Sequence, residues 1–173
     1  MKFLKRMMMI MASVCLLCGC TKSNIISGEQ NQYGELPQPD QNGIVWEQLW
    51  EDFDDIYADQ DVYPFIETVN GGVYSDENKI KFFLLLNSEI SSEEAADYAT
   101  EVIKGFNDLI AEQNDKYALS SEDSYGGYVS SYDVYVMVST DDSKADKSSW
   151  ILEDTIPAGE YRPVDPEAAP EVK

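Results

Sequence analysis

The sequence predicts a small single α+β domain: a mainly antiparallel sheet of three or four strands packed with two helices, in the order α-β-β-α-β-(β). Three observations predict it. A capping box at Ser91 and Glu94 opens a long apolar stripe at helical spacing. Short runs with strand character stand on both sides of that stripe. A second amphipathic helix precedes them all, so helices and strands do not simply alternate along the chain.

Taken in order, Ile44–Tyr57 reads as the first helix. Val45 or Trp46, Leu49 with Trp50, Phe53, and Ile56 with Tyr57 recur at i, i+3, i+4 and i+7, and the polar stretch from Asp59 to Pro64 ends it. Trp46 and Trp50, four residues apart, are expected to anchor its core face. Glu67–Tyr74 and Lys79–Asn87 form a hairpin across Ser75-Asp76-Glu77-Asn78. The second of these strands begins by alternating and becomes wholly apolar, as a central strand does when one face is covered and the other partly so. The second helix runs from its cap at Ser91 to Asn114 on the stripe Ala95/Ala96, Ala99, Val102/Ile103, Phe106 and Leu109/Ile110. Tyr132–Ser139 alternates with Val134, Val136 and Val138 on one face. Trp150–Leu152 returns as an edge strand after the polar loop Thr140–Ser149. The pattern leaves strand order open.

The flanks differ from the domain placed at 44–156. Residues 20–43 are rich in Asn, Gln, Gly and Pro and read as a tether, whose 23 residues after Cys20 would span about 25–30 Å as a flexible coil. Residues 157–173 carry four prolines and little to bury, and read as an extended or disordered acidic tail. At the other end, Lys2, Lys5 and Arg6 precede the apolar stretch Met7–Leu17. Eleven residues are too few to span a bilayer, which takes about 17–25, and the stretch has the form of a secretory signal. It closes on Leu17-Cys18-Gly19-Cys20, which resembles the lipobox of a bacterial lipoprotein signal peptide. The resemblance covers the first twenty residues only. It implies removal of residues 1–19, lipid on the Cys20 sulfur, and a protein anchored in the cell membrane with its domain on the extracytoplasmic side. Two acyl chains would meet the two-signal requirement for lasting attachment.

Charge and cysteine content then exclude whole classes. The 173 residues hold 33 acids against 12 cations, with no His, for a net charge of -21. Such a chain cannot neutralise a row of phosphates, so nucleic acid is not an expected partner. Without His there is no Ser-His-Asp or Cys-His catalysis and no His-ligated zinc. Cys15, Cys18 and Cys20 are the only cysteines, and the implied cleavage leaves Cys20 alone with its sulfur occupied. The mature chain would therefore hold no internal disulfide, and its fold is expected to rest on packing without cofactor or metal, as a monomer or loosely associated dimer.

Four features carry candidate chemistry. Asp52, Asp54, Asp55, Asp59 and Asp61 crowd the negative end of the first helix, where a hard cation would relieve their repulsion, although the spacing is not that of an EF-hand loop. Solvated surface charge is the preferred explanation of the cluster, with a cation site as the alternative. Between Ser23 and Asn78 lie thirteen acids and no Lys or Arg, an acidic surface suited to a basic partner and also to solubility. Tyr117, Tyr125, Tyr128, Tyr132 and Tyr135, interleaved with serines, form a face able to stack on sugars, or simply strand residues with high β propensity. Carboxylate pairs can hydrolyse glycosides, but no spacing singles out a pair, and no P-loop, G-x-S-x-G or S-x-x-K is present. The expectation is a non-enzymatic binding or accessory module for another envelope protein. Capture of a glycan or small solute on the tyrosine face stands second, and a carboxylate hydrolase third.

Overall fold

The computed structural model describes residues 38–141 and 149–168. The expected signal peptide with Cys15 and Cys18, the expected lipidation site Cys20, most of the expected tether and the last five residues lie outside the described residues. Two helices, α1 (Trp46–Tyr57) and α2 (Ser92–Gln113), accompany four strands: β1 (Ile66–Tyr74), β2 (Lys79–Leu86), β3 (Asp133–Ser139) and β4 (Trp150–Ile156). This is the expected α+β class, with all four strands in one sheet of order β1-β2-β3-β4.

The sheet is mixed. β1 and β2 form an antiparallel hairpin whose turn places Asn78 at φ 52°, a left-handed conformation that Asn tolerates better than most residues. β2 and β3 are joined by α2 rather than by a turn, so they run parallel, from Lys79 opposite Asp133 to Leu85 opposite Ser139. β3 and β4 are antiparallel again.

Burial explains why each run takes its form. Ile80, Phe82, Leu84 and Leu86 point to the same side as Val134, Val136 and Val138, and both helices pack there. Phe53 of α1, Phe106 of α2 and Phe82 of β2 meet at the centre, with ring centroids 5.3–6.3 Å apart and two edge-on pairs. On the opposite face Phe83 and Met137 are buried, while Leu85 and Tyr135 are half-buried. This matches the partly covered second side that the apolar run of β2 implied.

The helix ends are held by different means. In α2 the Ser91 hydroxyl accepts the Glu94 N–H at 3.2 Å. Replacing Ser91 with Ala should therefore cost about 1 kcal/mol, read as a shift in the urea midpoint with an unchanged m value. α1 starts at Val45, which has no side chain able to cap. The Gln113 side chain substitutes: its Oε1 accepts the Val45 N–H at 2.7 Å, and its Nε2 donates to the Val45 carbonyl at 3.4 Å. The start of α1 is thereby tied to the end of α2.

Two stretches with few apolar residues nonetheless pack onto the domain. Ahead of α1, the Asp40 carboxylate accepts the Asn42 and Ile44 N–H groups and the Trp46 indole N–H at 2.7–3.0 Å. Ile44 is fully buried behind that turn. After β4, residues 157–168 have no regular structure but return along the molecule. Val164 is buried, its N–H donates to Thr100 Oγ1, and Glu153 N–H donates to the Ala168 carbonyl. β4 itself runs to Ile156, past the expected end at Leu152, because Asp154 in its middle is paired rather than exposed.

Candidate functional site

Sheet order makes β1 an edge strand. Among the described residues, backbone hydrogen bonds to β1 other than its ladder with β2 fall at its two ends, Ile66 and Tyr74. The far edge differs, since β4 has the Ala168 contact. α1 packs over the face of the sheet that carries Gly71 of β1 and Phe82 of β2, and its positions 46, 50 and 54, one turn apart, present Trp, Trp and Asp along one side.

Trp50 rests on the strand itself. A Cβ at Gly71 would stand 3.1 Å from the Trp50 ring and 3.2 Å from Phe82, so a residue without a side chain is what lets the indole lie there. Trp50 also packs against Phe106, with centroids 5.2 Å apart, and against Phe53. Both tryptophans are half-buried, as anchors with one open side.

A cleft opens on each flank of this contact. The first, of about 340 Å³, is walled by Asp40, Trp46, Trp50, Gly71, Tyr128 and Tyr132. The second, of about 290 Å³, lies between Asp54 and Tyr57 on α1 and Glu67, Thr68 and Asn70 on β1. In the first cleft, burial pushes the Asp40 carboxyl up, but its hydrogen bonds from Ile44, Trp46 and Asn42 outweigh this and hold it below the ordinary carboxylate value. It is thus an anion fixed at an aromatic wall. Burial, assisted by Tyr132, drives the Tyr128 phenol well above its ordinary value, so it is a neutral group there.

The tyrosines expected to form one face divide between core and surface. Tyr125 is 1% exposed, its hydroxyl donates to the Arg162 carbonyl at 2.8 Å, and burial pushes its phenol up to about 12. Tyr128 is buried between Tyr117, Tyr132 and Trp46, with centroids 5.1–6.2 Å away. Tyr117 and Tyr132 are half-buried, and Tyr135 stands on the other side of the sheet with its hydroxyl on Glu153. Only Tyr128 and Tyr132 of this set reach the first cleft.

The aspartates fan out. Asp52, Asp54 and Asp55 occupy different sides of α1, where Asp52 accepts the Gln48 side-chain amide, and Asp59 accepts the Asp61 N–H in the turn that follows. Among the described residues no group of three or more Cys, Asp or Glu side chains is gathered closely enough to hold a metal ion. Asp54 alone of the five reaches a cleft beside β1.

Two site residues were not singled out from sequence, Asp40 and Gly71. Asp40-Gln41-Asn42-Gly43 carries turn-forming residues, and Gly71-Gly72 inside a strand marks close approach, so both left a legible signal. No family model, curated protein or solved structure matches the chain. No helix among the described residues is long and apolar enough to cross a membrane.

Proposed function

We propose that this protein is a lipid-anchored extracytoplasmic module, without enzymatic activity, that binds another protein of the cell envelope. One observation carries the binding half of this reading: the acids of α1 and its following turn point to solvent. Glu47, Glu51, Asp54, Asp55, Asp59 and Asp61 are all exposed, in a stretch of chain that has no Lys or Arg from Ser23 to Asn78. A field of one sign steers a partner of the other sign and sets its orientation. The anchoring half rests on the lipobox-like Leu17-Cys18-Gly19-Cys20 and the charged, apolar leader before it.

Each half has its own test. Metabolic labelling with a fatty-acid probe should mark the wild-type chain and not Cys20→Ala; equal labelling of both would remove the anchor. For the partner, crosslinking from intact envelopes should recover one protein reproducibly. The triple variant Glu47→Lys, Glu51→Lys, Asp55→Lys, altered only at exposed positions, should lose it, as should moderate salt.

A second reading has its own support. The half-buried Trp46 and Trp50 with Tyr132 offer ring faces to a sugar in the first cleft. Saturable, salt-insensitive quenching of tryptophan fluorescence by a cell-wall glycan, with no crosslinked protein, would put this reading first.

A further inference from the structure

The two clefts follow one another along β1, on either side of the Trp50–Gly71 contact, and that arrangement beside a free strand edge specifies a form of ligand. We propose that β1 docks an extended basic peptide segment of the partner protein, which adds as a fifth strand and places two cationic side chains, four residues apart, in the clefts. The inference rests on the protein-binding reading above and names the surface and the partner's chemistry.

Three independent observations converge on it. First, the backbone of β1 between Glu67 and Val73 has an unoccupied side: the strand pairs with β2 alone, and its other backbone contacts among the described residues are at Ile66 and Tyr74. An unpaired edge is a template for another strand, and proteins commonly blunt it with Lys, Pro or a cover. β1 has neither Lys nor Pro; its one charge, Glu67, sits at a bulge between Ile66 and Thr68, and from Thr68 to Val73 the edge is regular.

Second, the spacing of the clefts matches a strand. The second cleft meets β1 around Glu67–Asn70, and the first meets it at Gly71–Val73 and the following turn at Ser75, about four residues further on. Four residues of strand span about 13 Å, and side chains at i and i+4 point to the same face. An added strand following β1 would therefore send two side chains of one face into the two clefts, with Trp50 on Gly71 between them.

Third, both clefts suit a cation. Asp54 and Glu67 flank the second. The first combines the ionised Asp40 with the rings of Trp46, Trp50 and Tyr132, and a cation over an aromatic face gains most where water is excluded. An acidic or purely apolar strand would leave these carboxylates facing a like charge or a dry surface.

The probe is the acetylated, amidated nonapeptide TVKVTVKVT, whose lysines are four apart on one face, titrated into the full-length chain. It should bind saturably and slow amide exchange across Glu67–Val73 by about tenfold or more, since bound backbone groups leave water. The peptide with both lysines replaced by Glu, and the isomer with lysines three apart on opposite faces, should each bind about tenfold more weakly, the size of an effect near 1.4 kcal/mol. Asp54→Lys with Glu67→Lys, both exposed positions, should weaken TVKVTVKVT similarly while leaving the urea midpoint within experimental scatter. Absence of saturable binding would overturn the proposal. So would binding that leaves Glu67–Val73 exchange unchanged, or that is indifferent to lysine spacing. The envelope crosslink judges the broader reading separately: a partner lost by the α1 triple variant, but with no effect on β1 exchange, leaves that reading standing and removes this one.

Discussion

Replacing Asn107 with Leu should destabilise the domain by about 3–5 kcal/mol, because two buried backbone N–H groups would lose their acceptor at once. Asn107 is 0% exposed on α2. Its Oδ1 accepts the N–H groups of Tyr128 and Val129 at 3.0 and 3.3 Å, while Nδ2 donates to the Ala118 carbonyl at 3.0 Å and to Asp108 Oδ1 at 3.1 Å. One side chain thus stands in for secondary structure across the loop between α2 and β3. Leu keeps the branched outline of Asn with no fewer side-chain heavy atoms, so the cost is chiefly unpaired polar groups rather than a void. The site is also sterically closed: Gly126 has φ +90°, and a Cβ there would stand 1.9 Å from Asn107 Nδ2. Gly126→Ala should therefore also be strongly destabilising, and less than additive with Asn107→Leu, whose side chain no longer makes the bonds that Ala displaces. Urea unfolding of the two single variants and the double measures this. A loss below about 1 kcal/mol for Asn107→Leu would mean that water replaces the amide and that the loop does not depend on it. The consequence reaches function, because Tyr128 and Tyr132, which wall the first cleft, flank the turn that Asn107 holds.

Local chemistry is what the sequence displays well, and the elements found by it are those with local causes. α2 shows a cap at Ser91 and a stripe that repeats through Ile110, and both are properties of one continuous segment. The β1–β2 hairpin likewise needs only its turn and two strand-like runs. The parallel β2–β3 ladder has no local cause: it follows from where α2 returns the chain, so alternation in Tyr132–Ser139 carried no sign of it. β4 ran past Leu152 for a similar reason. Glu153 and Asp154 look like the end of an apolar run until Arg162 is seen beside Asp154. Asn107 reads as one polar residue at an otherwise helical position, since three of its four partners lie 11 to 22 residues away. The candidate site divides in the same way. Trp46, Trp50 and Asp54 were visible as one helix, but their meeting with Gly71 and Tyr132 required the sheet order.

Replacing Arg162 with Met should release the segment that follows β4 and cost about 2–3 kcal/mol, below the usual range for breaking a buried pair because Arg162 is itself partly exposed. Asp154 sits at 7% exposure on the helix-facing side of β4, between the apolar positions Leu152 and Ile156. Its carboxylate oxygens receive Arg162 Nη1 at 2.6 Å and Nη2 at 2.8 Å, along with the N–H groups of Thr155 and Asp165. Burial pushes this carboxyl up, but the Arg162 and backbone hydrogen bonds together with the guanidinium charge outweigh it and hold it below the ordinary value. A carboxyl lowered in the folded state stabilises the fold at pH above its unfolded value, about 3.9, and that contribution disappears as pH falls from there through the folded value. The wild type should therefore lose this increment below about pH 4, and Asp154→Asn should show a shallower acid slope over the same window. The pair does more than hold charge. It fixes the carbonyl to which the Tyr125 hydroxyl donates and the turn that delivers Val164 to the core. Arg162→Met alone would leave the Asp154 charge under an apolar cover, so amide exchange at Glu153 and Val164 should quicken before global unfolding. Adding Asp154→Leu should restore most of the lost stability, because the remaining strand face is then apolar throughout. If the double variant were no more stable than Arg162→Met, the guanidinium would be acting through its contacts with Thr155 and Pro163 carbonyls rather than by neutralising Asp154.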